Sequence, residues 1–356
     1  MIKDYARCVY FESEGRPERA LRIAAGLLKA RIKHGIGPMN YSLFRFSSLP
    51  SSEWVNYITD KQCFVQIFKN NVSQDTQLLV DNKALFYRHC IEHGLPTIPI
   101  ICGLGNLPTH SNGLIVRIND VDQLISVLES APTELFIKPV GGAHGDGAFA
   151  VQRTGRRFVF GQNTTDGSPH AFYHCLRDKL KQEVGLLVQP RIRAHRKLAD
   201  ISSTNGLATA RVVTAFAENK AQVLFAAVKL SVGTNITDNF SRGSTGNLSA
   251  GIDIATGKLS EAWGVARNDW PIMQSFDFHP DTGQRIHGSD FPLWREVLNL
   301  VLKAQNSLPE LKTTGWDIAV TDEGVLLVEA NCFWGIALME VALQRGLRRE
   351  VSKYYE

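Results

Sequence analysis

Gly315-Trp316-Asp317-Ile318-Ala319-Val320-Thr321-Asp322-Glu323-Gly324-Val325-Leu326-Leu327-Val328-Glu329-Ala330-Asn331 is two apolar runs joined by a turn, with acids planted inside them. Asp322-Glu323-Gly324 suits a three-residue hairpin loop whose glycine takes a left-handed conformation. That register sets Thr321 against Val325. Counting outward places Asp317 opposite Glu329, with Asn331 on the same face, because side chains alternate with period two. Like charges opposed in a sheet repel, so an oxygen-only cluster of this kind makes sense around a hard divalent cation such as Mg²⁺. The alternative is a solvated hairpin with surface acids. Ile318, Val320, Leu326 and Val328 favour a central, buried pair instead.

The rest of the chain bounds the classes open to it. Its 356 residues, 44% hydrophobic, are enough for two or three subdomains with buried cores. The net charge of +4 is modest, and Lys and Arg are scattered along the sequence, so no nucleic-acid partner is expected. Six cysteines without regular spacing indicate neither a zinc site nor a disulfide framework, which fits a reducing compartment. No signal-peptide core and no run of about 18 apolar residues is present. The expectation is a cytoplasmic protein with no transmembrane segment.

Three regions follow from the patterning. Residues 1–80 read as helical. Residues 81–196 begin with an amphipathic helix from Asp81 to Gly94, followed by a strand at Leu95-Pro-Thr-Ile-Pro-Ile-Ile, a helix at Val121 to Leu128 and strands at Glu134 to Pro139, Phe149 to Val151, Arg157 to Phe160 and Leu186 to Pro190. Residues 197–356 carry strands at Ala208 to Ala217 and Gln222 to Val232, a helix near Pro292 to Ser307, and the acidic hairpin. This order gives an α+β class, of α/β type, with largely antiparallel sheets.

Two further stretches carry chemistry. Ile137-Lys138-Pro139-Val140-Gly141-Gly142-Ala143-His144-Gly145-Asp146-Gly147 delivers a lysine from a strand into a four-glycine loop that can wrap a phosphate chain. It is neither a Walker A loop nor a Rossmann fingerprint, and taken alone it is equally a plain connection. Thr237 to Asp253 is polar, glycine-containing and longer than a tight turn. Asn239 and Arg242 within it could meet a phosphate chain or an acidic substrate, or the stretch is a surface loop. Arg211, between Ala210 and Val212 on an apolar strand, needs a partner for its charge.

The combined order resembles the ATP-grasp superfamily: a lysine opening a helix (Asp81-Asn82-Lys83), the strand lysine with its glycine loop, the apolar strand ending Val188-Gln189-Pro190, then Asp…Glu-x-Asn. Gly315-Trp-Asp-Ile-Ala, His279-Pro-Asp-Thr-Gly, Thr237-Asp-Asn-Phe-Ser and Thr209-Ala-Arg-Val-Val-Thr look like its sugar-transfer-associated group, over about residues 40 to 345. The resemblance implies two α+β subdomains gripping ATP between antiparallel sheets. Lys83 and Lys138 would meet the phosphates under a lid containing Gly141, Gly142, His144, Gly145 and Gly147. Val188 and Gln189 would be the hinge reading adenine, and His195 or Arg196 would meet the ribose. Arg211, with Lys138 and Arg242, would serve catalysis. Asp317, Glu329 and Asn331 would hold one or two Mg²⁺, with Mn²⁺ as a substitute.

The implied activity is ligation of a small-molecule carboxylate to an amine through an acyl phosphate, in decoration of a cell-surface glycan or nucleotide sugar. A kinase that stops at phosphate transfer and a non-catalytic nucleotide-binding module are the alternatives. Many relatives dimerise, and the N-terminal helices could form a homodimer. Two departures matter. Gly315 stands where D-alanine ligases place an arginine, so Arg211 or Arg242 must supply that charge. Cys332-Phe333-Trp334-Gly335 is bulkier than the corresponding segment there, so the acceptor pocket differs.

Overall fold

Period-two burial sorts the chain into two antiparallel sheets in the computed structural model, which describes residues 2–69, 72–107, 115–142, 147–160, 166–203, 206–266 and 269–355. Strands β1 (Cys102–Gly105), β2 (Glu134–Pro139), β3 (Phe149–Thr154), β4 (Arg157–Phe160) and β5 (Gly185–Pro190) form the smaller sheet, in the order β1-β5-β2-β3-β4. The larger comprises β6 (Thr209–Ala217), β7 (Lys220–Leu230), β8 (Leu248–Ile252), β9 (Leu259–Val265), β10 (Met273–Phe276), β11 (Thr313–Thr321) and β12 (Gly324–Asn331), in the order β10-β9-β8-β7-β6-β11-β12. The ladders between these strands are antiparallel.

Each sheet buries one face under helices, and part of the opposite face of each lines a cleft between the sheets. In β2, Leu135 and Ile137 pack with Leu124 and Leu128 of the helix Val121–Glu129 and with Phe172 and Leu176 of the helix Pro169–Lys179. Burying each such side chain contributes about 1.5–3 kcal/mol. Phe136 and Lys138 alternate to the opposite face. The helix Trp294–Asn306 covers the larger sheet with Val297, Val301 and Ala304 set against Val212, Val228 and Ile318. Phe86 and Cys90 of the helix Lys83–Glu92 join that core. Residues of the other face, Val213, Phe225 and Ala227, meet Trp334 and the helix Ile336–Leu343.

The helical region ahead of this frame is bound to it by aromatics. The helices Ile2–Ser13, Pro17–His34 and Pro38–Leu43 share a core with Trp263, Trp270, Met273, Ala337 and Val341. Phe46 and Trp54 stack at 4.8 Å, and Trp270 Nε1 donates to Ser42 Oγ at 2.8 Å.

The acidic hairpin reaches its expected pairing by a different route. Thr321 pairs with Gly324, so the turn has two residues, Asp322 and Glu323, rather than three. Thr321 Oγ1 closes it, accepting from Glu323 N and donating to Gly324 O, both at 3.1 Å, while Gly324 takes φ 142°. A bulge at Val328, between the Asp317–Glu329 and Ile318–Leu327 pairs, restores the missing residue. Asp317 therefore still faces Glu329.

Two other expectations need correction. Leu95 to Ile101 is not a strand. Pro96 and Pro99 lack the N–H a ladder needs, and the segment makes a single bridge, Thr97 to Leu327, before β1 begins at Cys102. The end of the expected 237–253 loop is β8, and β9 and β10 were not anticipated. His144 and Gly145 lie outside the described residues.

Candidate active site

One face of the larger sheet carries the charged side chains in register. Glu329 on β12 lies opposite Asp317 on β11, and Asp317 lies opposite Arg211 on β6. One step along, Thr209 on β6 faces Lys229 on β7. Period-two alternation thus sets Arg211, Lys229, Asp317, Glu329 and Asn331 on one surface, while Val212, Val228 and Ile318 enter the core behind it.

Asp317 is clamped from two sides. Arg211 Nε donates to its Oδ1, Arg211 Nη2 donates to Oδ2 at 2.9 Å, and Lys229 Nζ donates to Oδ2 at 3.1 Å. Burial would raise this carboxyl, but the two cations outweigh it and hold Asp317 well below the usual carboxylate range. Lys229 also lies 3.4 Å from Asp238, whose Oδ2 accepts from Thr209 N at 2.8 Å. Arg211 Nη1 donates to the Trp334 carbonyl at 2.7 Å, which fixes the guanidinium against the cleft. Glu329 has the opposite fate: burial, then the charge of Asp317, pushes its carboxyl upward. The two facing acids are thus pushed apart in acidity, Asp317 downward and Glu329 upward.

Gly315 explains itself here. A Cβ at that position would fall against Trp334 Cβ, far inside contact distance, and 3.2 Å from Arg211 Cδ. An arginine at 315 has no room, because Arg211 and Trp334 fill its place.

The opposing wall comes from the smaller sheet. Lys138 shares the Phe136 face of β2, and burial, then the neighbouring Lys83, lowers its ammonium to about 8 against the pull of Glu329. Lys83 Nζ donates to the carbonyls of Gly142 at 2.8 Å and Gly141 at 3.3 Å, tying the first helical turn to the start of the glycine loop. Asn82 caps that helix, accepting from Ala84 N and Leu85 N. Between the walls lies a cleft of about 980 Å³ lined by Lys83, Lys138, Gly141, Gly142, Gln189, Arg211, Lys229, Asn239, Arg242, Asp317, Glu329 and Asn331.

Other expected residues are placed elsewhere. Val188 is fully buried in the small-sheet core, and Gln189 Nε2 donates to Ile98 O, so the β5 edge of the cleft is formed by Gln189 to Ala194. His195 caps the short helix Arg196–Asp200 and sits 3.6 Å from Asp322 at the hairpin tip. The Arg196 N–H also donates to Asp322. Neither residue lines the cleft. Gly147 takes φ 75°, where an added Cβ would fall 3.0 Å from Pro139 Cγ, and it lies outside the cleft lining.

Lys229, Asp238 and Asp60 were not foreseen. Lys229 gave the same signal as Arg211, a cation inside the apolar run Ala226 to Leu230. Asp60 comes from the helical region, with Oδ1 accepting from Ala337 N at 3.0 Å and Oδ2 from Arg242 Nη2 at 2.9 Å. Ser241 and Arg242 both adopt left-handed conformations, with φ 41° and 56°, in making that contact.

The residues present fit Mg²⁺. Among the described residues no group of three or more His, Cys, Asp or Glu gathers. The face offers two carboxylates and one amide, all oxygen donors, with Asn331 Nδ2 committed to Gly315 O at 3.3 Å. A small hard cation that takes one or two carboxylates and completes its shell with phosphate and water matches that set.

Two α+β halves closing on a cleft, lysines on one wall and acids on the other, constitute the ATP-grasp fold. The profile of the sugar-transfer associated ATP-grasp family matches residues 65–355, and the chain belongs to that family. Similar solved structures include D-alanine-D-alanine ligase from Helicobacter pylori, at 10% identity and TM-score 0.43 over 79% of this chain and 61% of that one. The D-alanine-D-alanine ligase from Coxiella burnetii aligns at 12% identity and TM-score 0.36, covering 77% and 59%. D-cycloserine synthetase DcsG aligns at 11% and 0.43, covering 89% and 82%. The chain thus spans less than two thirds of the two D-alanine ligases. No curated protein sequence matches it. Among the described residues no helix is long and apolar enough to cross a membrane.

Proposed function

We propose that this chain joins a carboxylate to an amine using ATP and Mg²⁺, through an acyl phosphate, releasing ADP and phosphate. The observation that carries the reading is Arg211, held by Asp317 and the Trp334 carbonyl on the cleft wall opposite Lys138. Locked cations on both sides of a cleft suit the charge that develops during phosphoryl transfer.

In this scheme a substrate carboxylate oxygen attacks the γ-phosphorus and ADP leaves. An amine nitrogen then adds to the acyl carbon, loses a proton, and phosphate departs as the amide forms. Lys83 and Lys138 neutralise the phosphate chain, and Arg211 meets the transferred group. Asp317, Glu329 and Asn331 would hold Mg²⁺, which supplies charge neutralisation at the phosphate oxygens. Residues Gln189 to Ala194 border the adenine end. Phe240, Phe333, Trp334 and Leu338, with Arg242 and Asp60, border the acceptor end. Amino acids, peptides and sugar acids are the candidate carboxylates, with glycan or nucleotide-sugar decoration as the setting.

The test supplies ATP, Mg²⁺ and pools of such carboxylates with hydroxylamine, scoring ADP, AMP and hydroxamate. ADP with hydroxamate, falling at least about 100-fold in Asp317→Asn, is the expected result. ADP without hydroxamate would indicate a kinase, and AMP would exclude the acyl phosphate. Nucleotide binding without turnover would indicate a non-catalytic module.

A further inference from the structure

The helix Pro17–His34 turns its inner face, Ile23, Leu27 and Ala30, into the aromatic core and leaves a second apolar stripe outside. Leu21, Leu28 and Ile32 are 77, 60 and 73% exposed, and Ala25 lies between them, so the stripe follows a four-three-four spacing along one side. Ile2 and Tyr10 of the adjoining helix Ile2–Ser13 are also exposed, and an open groove of about 620 Å³ runs between the two helices. An apolar surface two helices wide is costly to leave in water.

The charge around it is one-sided. Arg22, Lys29 and Lys33 flank the stripe on one side and Arg31 on the other, all exposed, while the sole exposed acid of that helix is Glu18 in its first turn. Residues 1–34 hold eight Lys and Arg against four Asp and Glu, which accounts for the chain's whole net charge of +4; the remainder is neutral. One short stretch of sequence thus supplies the excess positive charge, and its second helix sets part of it beside exposed aliphatics. These helices also precede the residues matched to the family, 65–355.

We propose that the outer face of the helices Ile2–Ser13 and Pro17–His34 docks on an anionic lipid surface, with Leu21, Leu28 and Ile32 entering the acyl boundary. The basic side chains would extend outward to the phosphates. An aliphatic stripe flanked by Lys and Arg is the composition of an interfacial helix. The two alternatives fit less well. Self-association through the stripe would bring its basic flanks against those of the second copy. A protein partner is a poorer match to a stripe led by Leu, which is under-represented among the residues that dominate protein contacts. None of the stripe residues lines the cleft, and the docking does not depend on the reaction assigned to it.

The experiment is flotation of the full chain with phosphatidylcholine vesicles, with and without phosphatidylglycerol, alongside sedimentation velocity without lipid. Binding is expected to the phosphatidylglycerol vesicles alone and to weaken with salt. Leu21→Glu/Leu28→Glu should abolish it, and Arg22→Gln/Lys33→Gln should weaken it by about fivefold per charge. Both variants alter exposed residues and should keep the wild-type melting temperature. No binding to either vesicle, equal binding by the variants, or a lipid-free dimer dissolved by Leu21→Glu/Leu28→Glu would each overturn the proposal; the last would assign the stripe to a second copy.

Discussion

Lys229 Nζ lies 3.1 Å from Asp317 Oδ2 and 3.4 Å from Asp238 Oδ1, so one buried ammonium holds carboxylates from two separate segments. Asp238 belongs to the polar stretch after β7 and is otherwise hydrogen-bonded to Thr209, whereas Asp317 keeps the Arg211 clamp. Removing one member of such a cluster leaves an uncompensated buried charge, at a cost of about 3–5 kcal/mol.

Lys229→Met should therefore destabilise the protein by about that amount in urea unfolding. Adding Asp238→Asn should recover part of the loss, because the orphaned charge is gone while Thr209 can still donate to the amide oxygen. Equal stability of Lys229→Met and wild type would show that the ammonium contributes nothing net.

At Gly315, the close approach of Trp334 and Arg211 makes even a methyl group too large. Gly315→Ala should cost about 1–3 kcal/mol of stability through overpacking. It should also lower turnover more than nucleotide affinity, since Arg211 must shift away from the Trp334 carbonyl. A thermal melt and a kcat-against-KM comparison check both. Unchanged values would mean that Trp334 relaxes freely.

The hairpin shows how far sequence reaches. Period-two alternation placed Asp317, Glu329 and Asn331 on one face; the burial expected from the apolar neighbours holds along β11, whereas β12 is the edge strand, half-buried for most of its length, and not central. The turn was misread and the bulge at Val328 missed, because both depend on hydrogen bonds such as Thr321 to Gly324 that leave no periodic mark. Strands β8 to β10 are short and carry little periodic signal, and in Leu95 to Ile101 the apolar run is strand-like while Pro96 and Pro99 deny it a ladder. Asp60 was beyond reach: it meets Arg242 across 182 residues, through packing that only the folded aromatic core determines.

Glu329→Gln should separate stability from function. The folded-state pKa of Glu329 is raised above its unfolded value. Its contribution to stability is thus fully present below the ordinary glutamate value and lost as pH rises through the folded value. The metal-free wild type should lose stability over that window. Glu329→Gln, which never ionises, should lose less, melting higher than wild type at neutral pH while losing Mg²⁺-dependent turnover. A variant that melts lower at neutral pH would show that the carboxylate pair is not strained.

Lys138 gives the sharpest pH signature. Burial and Lys83 bring its ammonium to about 8 in the nucleotide-free protein, and the triphosphate of a bound nucleotide would raise it again. Below pH 8 the side chain is already charged, so binding moves no proton. Above it, each binding event must take up a proton. Affinity should then fall by up to about tenfold per pH unit until the bound-state value is passed. Titration calorimetry in buffers of different ionisation enthalpy reads that proton directly. Lys138→Arg keeps its charge throughout and should flatten the dependence, even if its fork reaches the phosphates less well. Affinity that stays level between about pH 7 and pH 9.5, with no proton uptake, would remove Lys138 from the phosphate site and leave Lys83 as the cation of that wall.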